Sequence, residues 1–404
     1  MKERNLSNKI KSLALNRKKM AFLSGPRQCG KTTLAKSLLT KPDLYYNWDS
    51  SKFKALWTNS PEQIAEAALN TRHPLIVLDE IHKNRKWKNQ LKAFYDEHGE
   101  NIEILLTGSA HLNVYRKGAD SLMGRFVHFH LHPFSLGELE GREPLPFAQL
   151  LEALSTSNFS NSKSRSEEVE NLFRWSGFPE PLFAQNQDIY NLWSQNRVEL
   201  LVRQDLRDLS RLLDLSQVEI LASLLPDKVG SPLSIQNLRE DLDVAHTTIS
   251  RWLDGLSLVY YHFELKPFAH KITRSLKKEG KIYLYDWSAI EDNDKRFENM
   301  VANHLLKMCH YYSDIGAAKL QLHYLRNKEK KEIDFLVVNG KKPLFTVEAK
   351  YHDLNLDTNY QHFQKQLKIP HFQVVRPSGI FRIMKSPTGQ ASVVSFDRFF
   401  AQLP

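Results

Sequence analysis

The pattern of hydrophobic and polar positions changes character along the chain. Leu6, Ile10, Leu13 and Leu15 fall roughly on one face of a helix over residues 1–16. Met20-Ala21-Phe22-Leu23 is an unbroken apolar run, too short for a helix. It ends at Ser24-Gly25 and so predicts a buried strand. A helix follows from Lys31 to about Leu39. Leu75-Ile76-Val77-Leu78 and Ile102 to Leu106 predict two more buried strands. Strands separated by helical segments imply an α/β fold, a parallel sheet with helices on its faces. After Pro133 the pattern is mostly helical as far as residue 215, broken by a serine-rich stretch over 155–166 that reads as an exposed loop. A compact helical segment spans 216–262, followed by a basic segment from Lys266 to Lys281. Beyond it come a strand, a helix, hairpin-like strands at 321–326, 332–338 and 344–349, and a final α/β stretch.

The expected domains are 1–140, 141–215, 216–280 and 281–404. With 41% hydrophobic residues the chain is globular, which excludes disordered and collagen-like classes. No window of about 18 apolar residues exists, so no membrane span is expected. The N-terminus lacks the apolar region of a secretory signal. Two cysteines, Cys29 and Cys309, fit a reducing compartment, and the expected location is cytoplasmic. The 56 Lys and Arg against 46 Asp and Glu give a net charge of +10, which biases the partners toward polyanions such as nucleic acid.

The candidate chemistry begins at Gly25. Gly25, Pro26, Arg27, Gln28, Cys29, Gly30, Lys31 and Thr32 fit G-x-x-x-x-G-K-[ST], after a strand and before a helix. The two glycines let the backbone curl so that its N–H groups face phosphates, and the helix adds its positive end. Lys31 supplies a point charge for the β- and γ-phosphates of ATP, and the Thr32 hydroxyl can ligate Mg²⁺. Thr33 belongs to the same expected nucleotide contacts. Downstream, the apolar strand ending at Asp79-Glu80 places two carboxylates at the sheet edge. Asp79 suits the metal, and Glu80 suits the attacking water. Thr107 and Ser109, at the end of a third strand, are candidates to sense the γ-phosphate; plain N-capping by Ser109 is the alternative.

These motifs resemble the AAA+/STAND-like P-loop ATPases, and more specifically a widespread prokaryotic family of AAA-type ATPases with an uncharacterised C-terminal domain. The resembling stretches are GPRQCGKTTL (25–34), LIVLDEIHK (75–83), LLTGSA (105–110), SLMGRFVHFHLHPFSLGEL (121–139), WSGFPEP (175–181), VRQDLRDL (202–209) and KIYLYDWS (281–288). The resemblance implies an AAA+ core with a helical lid over 141–215. In it, Gly177-Phe178-Pro179 would lie against the base. Arg125 would reach a γ-phosphate in cis or from a neighbouring subunit of a homo-oligomer, with Arg203 a second candidate. Structural salt bridges are the alternative for both arginines. Asp286-Trp287-Ser288 departs from the Asp-Thr-Gly-like turn expected there.

Leu233 to Leu238 and Asp243 to Leu253 suggest two helices joined by a short turn, as in a winged helix-turn-helix. Thr247, Thr248, Ser250 and Arg251 lie on the second. The wing would be 266–281, with Lys266, Lys271, Arg274, Lys277, Lys278 and Lys281 against Glu279, a patch suited to DNA phosphates. Packing or protein contact is the alternative use. Further on, a helix carrying Glu298, then Asp334, then Glu348-Ala349-Lys350 follows the order of the PD-(D/E)xK nuclease core, which it resembles. In that chemistry Asp334, Glu348 and Glu298 would hold Mg²⁺ and Lys350 would activate water, with Gln361 or Gln364 as an orienting group. The sequence therefore supports a Mg²⁺-dependent ATPase coupled to DNA binding, with a C-terminal domain that could act as a Mg²⁺-dependent nuclease. The alternative is an ATP-driven switch acting on protein partners, its nuclease-like domain catalytically silent.

Overall fold

The computed structural model describes residues 2–108, 122–156, 165–207, 214–268, 279–386, 389–401 and 403–404. Five strands, β1 (Met20–Ser24), β2 (Tyr45–Asn47), β3 (Leu75–Asp79), β4 (Glu103–Gly108) and β5 (Phe126–His130), form a sheet in the order β2-β3-β4-β1-β5. Every adjacent pair is parallel. The runs of Val, Ile, Leu and Phe in β1, β3 and β4 are buried on both faces, which is why they read as unbroken rather than alternating. Among the described residues, the α-helices α1 (Leu6–Leu13), α2 (Lys31–Leu38), α3 (Ser51–Asn59), α4 (Pro61–Leu69) and α5 (Trp87–His98) cross between the strands or flank them. Phe53, Trp57, Ile64, Leu91 and Phe94 from these helices pack with Phe22, Ile76, Leu78 and Ile104 in one core.

Contacts divide the chain into two units. Glu3–His132 with Leu258–Tyr260 form the first, and Pro133–Ser257 with Tyr261–Pro404 make up nearly all of the second. The second opens with helices, among them Ser166–Trp175, Gln187–Leu200, Ile235–Leu242 and His246–Leu258. A two-stranded antiparallel hairpin, β6 (His262–Leu265) and β7 (Lys281–Leu284), follows. The long helix Asn293–Asp314 then precedes six more strands. These are β8 (Leu320–Arg326), β9 (Glu332–Asn339), β10 (Lys342–Lys350), β11 (His371–Val375), β12 (Phe381–Ser386) and β13 (Gly389–Ser395). They form a mixed sheet in the order β12-β13-β11-β10-β9-β8. β8, β9 and β10 are an antiparallel meander, and β11 joins β10 in parallel.

Among the described residues of the second unit, His262, His304 and His371 are buried, and burial pushes each below its usual range: His262 to about 4, His304 and His371 to about 3. His304 Nδ1–H donates to Met300 O at 2.8 Å, and its Nε2 accepts from Leu136 N–H at 3.4 Å, so its neutral tautomer is defined. A histidine whose folded pKa is depressed contributes fully above its unfolded value of about 6.5. That contribution is lost as pH falls from there toward the folded value. Chemical denaturation across pH 7 to 3 is expected to show stability falling by up to about 1.4 kcal/mol per pH unit for each histidine. His371→Asn is expected to flatten the wild-type slope by one proton; an unchanged slope contradicts the assignment.

Candidate functional site

In the first unit, the turn after β1 is shaped by backbone that other residues rarely adopt. Gln28 has φ +65° and Gly30 has φ +101°, and Gly30 N-caps α2. Gly25 lies so close to the next chain segment that a Cβ there would sit 2.1 Å from Leu131 O. Cys29 is fully buried, its Sγ 3.4 Å from Leu131 O. Arg4 Nη1 donates to Cys29 O at 3.2 Å and another Arg4 N–H donates to His132 O, which ties the loop to the residues after β5. Pro26 is buried, Arg27 and Gln28 are half-buried, and Thr33 is exposed. The Lys31 ammonium is buried and donates to Gly25 O at 2.9 Å and Pro26 O at 2.7 Å.

The carboxyl ends of the strands carry one register row, Asn47, Asp79, Thr107 and Leu23. Asp79 is its hub. Its Oδ2 accepts from Thr32 Oγ1 at 3.2 Å, from Tyr45 OH, and from Asn47 Nδ2 at 3.4 Å, while Thr107 Oγ1 donates to Oδ1. Burial first, and then the neighbouring Asp79, push the Tyr45 phenol up to about 12, so it stays a donor. Glu80 follows with φ +55°, a left-handed conformation unusual for a side-chain-bearing residue, and its Oε2 lies 3.4 Å from His82 Nε2. Such local strain concentrates at functional positions. The Thr32 hydroxyl beside the Asp79 carboxylate is an all-oxygen pair of the type Mg²⁺ takes, so this site fits the metal.

Several expected residues occupy other places. Arg125 precedes β5, and its carbonyl accepts from Met20 N–H at the amino edge of the sheet, the edge opposite the phosphate loop. β1 spans five residues between those edges, on the order of 16 Å. Arg125 instead grips Asp96 through Nε at 2.7 Å and Nη2 at 3.3 Å, which takes away its expected cis role. Thr107, by contrast, lies at the expected edge, its hydroxyl on Asp79. Arg203 is bidentate on Glu219, at 2.7 and 2.9 Å. Pro179 belongs to the second unit, where the preceding Gly177 O accepts from Phe134 N–H at 2.7 Å. Asp286 N-caps the turn Trp287–Ala289 through Ser288 N–H. Ser109, Lys271, Arg274, Lys277 and Lys278 lie outside the described residues.

Tyr45, Asn47 and Arg4 were not among the sequence candidates. The short aromatic run Tyr45-Tyr46-Asn47 after Pro42 is the signal that points to an extra edge strand. A further chain of hydrogen bonds lies where β1 ends: Tyr260 OH donates to Ser24 Oγ at 2.9 Å, and Ser24 Oγ is 2.7 Å from His128 Nε2.

In the second unit, Glu298, Asp334, Glu348 and Lys350 belong to one cluster of charged side chains. Ala349 N–H donates to Asp334 Oδ2 at 3.0 Å, and Asp334 N–H to Glu348 Oε2 at 3.3 Å. Lys350 Nζ lies 3.0 Å from Glu348 Oε1 and 3.7 Å from Asp357 Oδ2. Burial, and then the Asp334 charge, raise Glu348 to about 8 and Glu298 to about 7. Gln364 is spent on Ile369 O and Gln390 O, at 3.2 and 2.8 Å. A residue expected in the basic wing completes the cluster: Lys281 Nζ is 2.5 Å from Glu332 Oε1, 3.5 Å from Asp334 Oδ1 and 3.6 Å from Glu298 Oε1. Among the described residues, no group of three or more His, Cys, Asp or Glu is arranged to hold a metal ion. Of the residues expected as ligands of Mg²⁺, Glu298 and Asp334 face the Lys281 ammonium and Glu348 pairs with Lys350, so the site with these ammonium groups in place does not fit the metal.

The exposed face of the His246–Leu258 helix shows His246, Thr247, Arg251 and Asp254. In the adjoining hairpin Lys266 pairs with Glu264. Among the described residues no helix is long and apolar enough to cross a membrane.

Residues 17–140 match the model of an AAA domain. This match covers the parallel sheet and the loop between β1 and α2. Residues 166–290 and 294–382 match two domains of unknown function, DUF8612 and DUF4143. The chain is 23% identical over 345 residues to the uncharacterized proteins Mb2031c of Mycobacterium bovis and Rv2008c of Mycobacterium tuberculosis, covering 82% of this chain and 70% of each. Among solved structures it is similar to the Aeropyrum pernix ORC1 protein in complex with DNA, with a TM-score of 0.30 and 14% identity over 75% of this chain and 93% of that one. It is also similar to AMPPCP-bound DnaA from Aquifex aeolicus, with a TM-score of 0.31 and 12% identity over 63% and 86% of the two chains. At these scores neither likeness speaks to what this chain binds.

Proposed function

We propose that the chain binds and hydrolyses ATP at the loop between β1 and α2, and that the nucleotide state governs engagement of DNA by the second unit. The observation that carries the first half is the arrangement Lys31, Thr32 and Asp79 beside a curled loop at a helix N-terminus. Gly25 to Gly30 would cradle the phosphates with backbone N–H groups, and Lys31 would exchange its two loop carbonyls for phosphate oxygens. Thr32 and Asp79 would hold Mg²⁺, which neutralises phosphate charge. Thr107, Tyr45 and Asn47 orient the Asp79 carboxylate. Glu80 is placed to polarise the attacking water. Arg125, on the far edge, retains only a role toward a neighbouring copy in a homo-oligomer.

DNA engagement is supported by the net charge of +10 and by the helix His246–Leu258 beside the β6–β7 hairpin. Fluorescence anisotropy with labelled duplex is expected to show log affinity falling linearly with log salt, with a slope of about 0.9 per phosphate contacted. Arg251→Ala is expected to lower that slope by about one contact. One observation favours the protein-partner reading: Lys266 and Lys281 are both engaged by carboxylates rather than free for phosphate. Absence of salt-dependent DNA binding, with ATP turnover intact, would select it. The C-terminal helix and mixed sheet are read as a nuclease-like arrangement used for binding.

A further inference from the structure

We infer that Lys281 is the resident cation of the C-terminal carboxylate cluster, its ammonium standing where a divalent ion would otherwise bridge Glu298 and Asp334, so that this unit binds without cleaving. The inference rests on the nuclease-like reading of the unit and is independent of ATP hydrolysis.

The burial of Lys281 carries the argument. Its side chain is 1% exposed, whereas wing lysines in contact with phosphate remain in water. Its ammonium faces three carboxylates at 2.5–3.6 Å and lies 5.6 Å from the Tyr324 ring centre. An ammonium has three donors and no lone pair, so it cannot share a metal's coordination shell. Mg²⁺ requires oxygen ligands at about 2.1 Å in near-octahedral array. A second cation between the same Glu298 and Asp334 oxygens would meet the Lys281 charge at close range in a poorly solvated site.

The backbone holds the lysine there. β7 pairs with β6 in register Leu265 to Lys281, and Pro232 bridges Lys281 from the other side. At the end of β7, Leu284 N–H donates to Asn299 Oδ1 at 2.7 Å, and Leu284 O accepts from Asn299 and Asn303 at 2.7 and 2.8 Å. These bonds fix the strand to the helix that carries Glu298. Tyr283 OH donates to Glu298 Oε1 at 2.7 Å, which orients the carboxylate toward the lysine. Gly230 leaves room for it, since a Cβ there would stand 3.0 Å from Glu298 Oε2. The remaining charges of the cluster have their own partners: Arg326 Nη1 is 3.4 Å from Glu332 Oε2, and Lys350 is on Glu348. Burial lowers the Lys281 pKa, but the Glu298, Asp334 and Glu332 charges outweigh it and hold it above the usual lysine range.

The test is Mn²⁺ binding to the full chain without nucleotide, read by electron paramagnetic resonance and by the Mn²⁺ dependence of the melting temperature. Wild type is expected to hold no Mn²⁺ that depends on Asp334. Lys281→Met, which leaves the carboxylates facing one another, is expected to gain one Mn²⁺ per chain and to melt higher as Mn²⁺ is added. Adding Asp334→Asn to it should remove both effects. A wild-type Mn²⁺ site lost in Glu298→Gln or Asp334→Asn would overturn the inference, as would a folded Lys281→Met that binds none. Should Lys281→Met fail to fold, Lys281→Gln and the wild-type arm decide by the same criteria. Lys31→Ala is expected to leave every Mn²⁺ result unchanged, so a failure of the ATP assignment is seen separately.

Discussion

Lys31→Ala is expected to lower ATP turnover at least about 100-fold, the effect of removing one preorganised charge from a phosphoryl-transfer site. The fold of the first unit is expected to survive. Among the described residues, the Lys31 ammonium bonds to the Gly25 and Pro26 carbonyls of its own loop and to no core side chain. Circular dichroism and melting temperature should therefore stay near wild type while turnover disappears. A variant that hydrolyses ATP at the wild-type rate would remove Lys31 from the site.

The second large effect comes from a single methyl group. Gly25→Ala places a Cβ 2.1 Å from Leu131 O, an atom that cannot yield because Leu131 N–H is itself bonded to Ser24 O at 2.8 Å. Either β1 and the segment after β5 part, or the loop changes course. Overpacking of this kind costs about 1–3 kcal/mol. Where displacing the loop amides takes up that cost, ATP binding should weaken by about 5- to 100-fold, since each 1.4 kcal/mol is a factor of ten. Calorimetric titration with ATP and a thermal melt measure the two consequences together. Wild-type affinity with wild-type melting would mean that the loop is not confined as the structure shows.

The phosphate loop, the strand ending in Asp79 and Glu80, and the strand ending in Thr107 were legible because each is a local pattern: a short apolar run followed by its chemistry. β2 was not, because its three residues gain meaning only from pairing with β3, where Tyr45 and Asn47 meet an aspartate more than thirty residues away. Arg125 shows a related blind spot. A motif says which arginine is near a strand, but not at which end of it, and β5 had to be recognised before Arg125 could be placed at the amino edge. Lys281 is the clearest case. In a run of basic residues its charge reads as a solvated wing, yet as the first residue of β7 it faces carboxylates from a helix and from one distant strand, β9. Composition reports charge; only topology reports what that charge faces.

ATP turnover by purified wild type and Glu80→Gln, measured side by side in Mg²⁺ with and without duplex DNA, tests the central assignment most directly. Wild type is expected to hydrolyse ATP, and Glu80→Gln to bind ATP with wild-type affinity while hydrolysing almost none. Wild-type protein that neither binds nor hydrolyses ATP, or a Glu80→Gln variant as active as wild type, would contradict it.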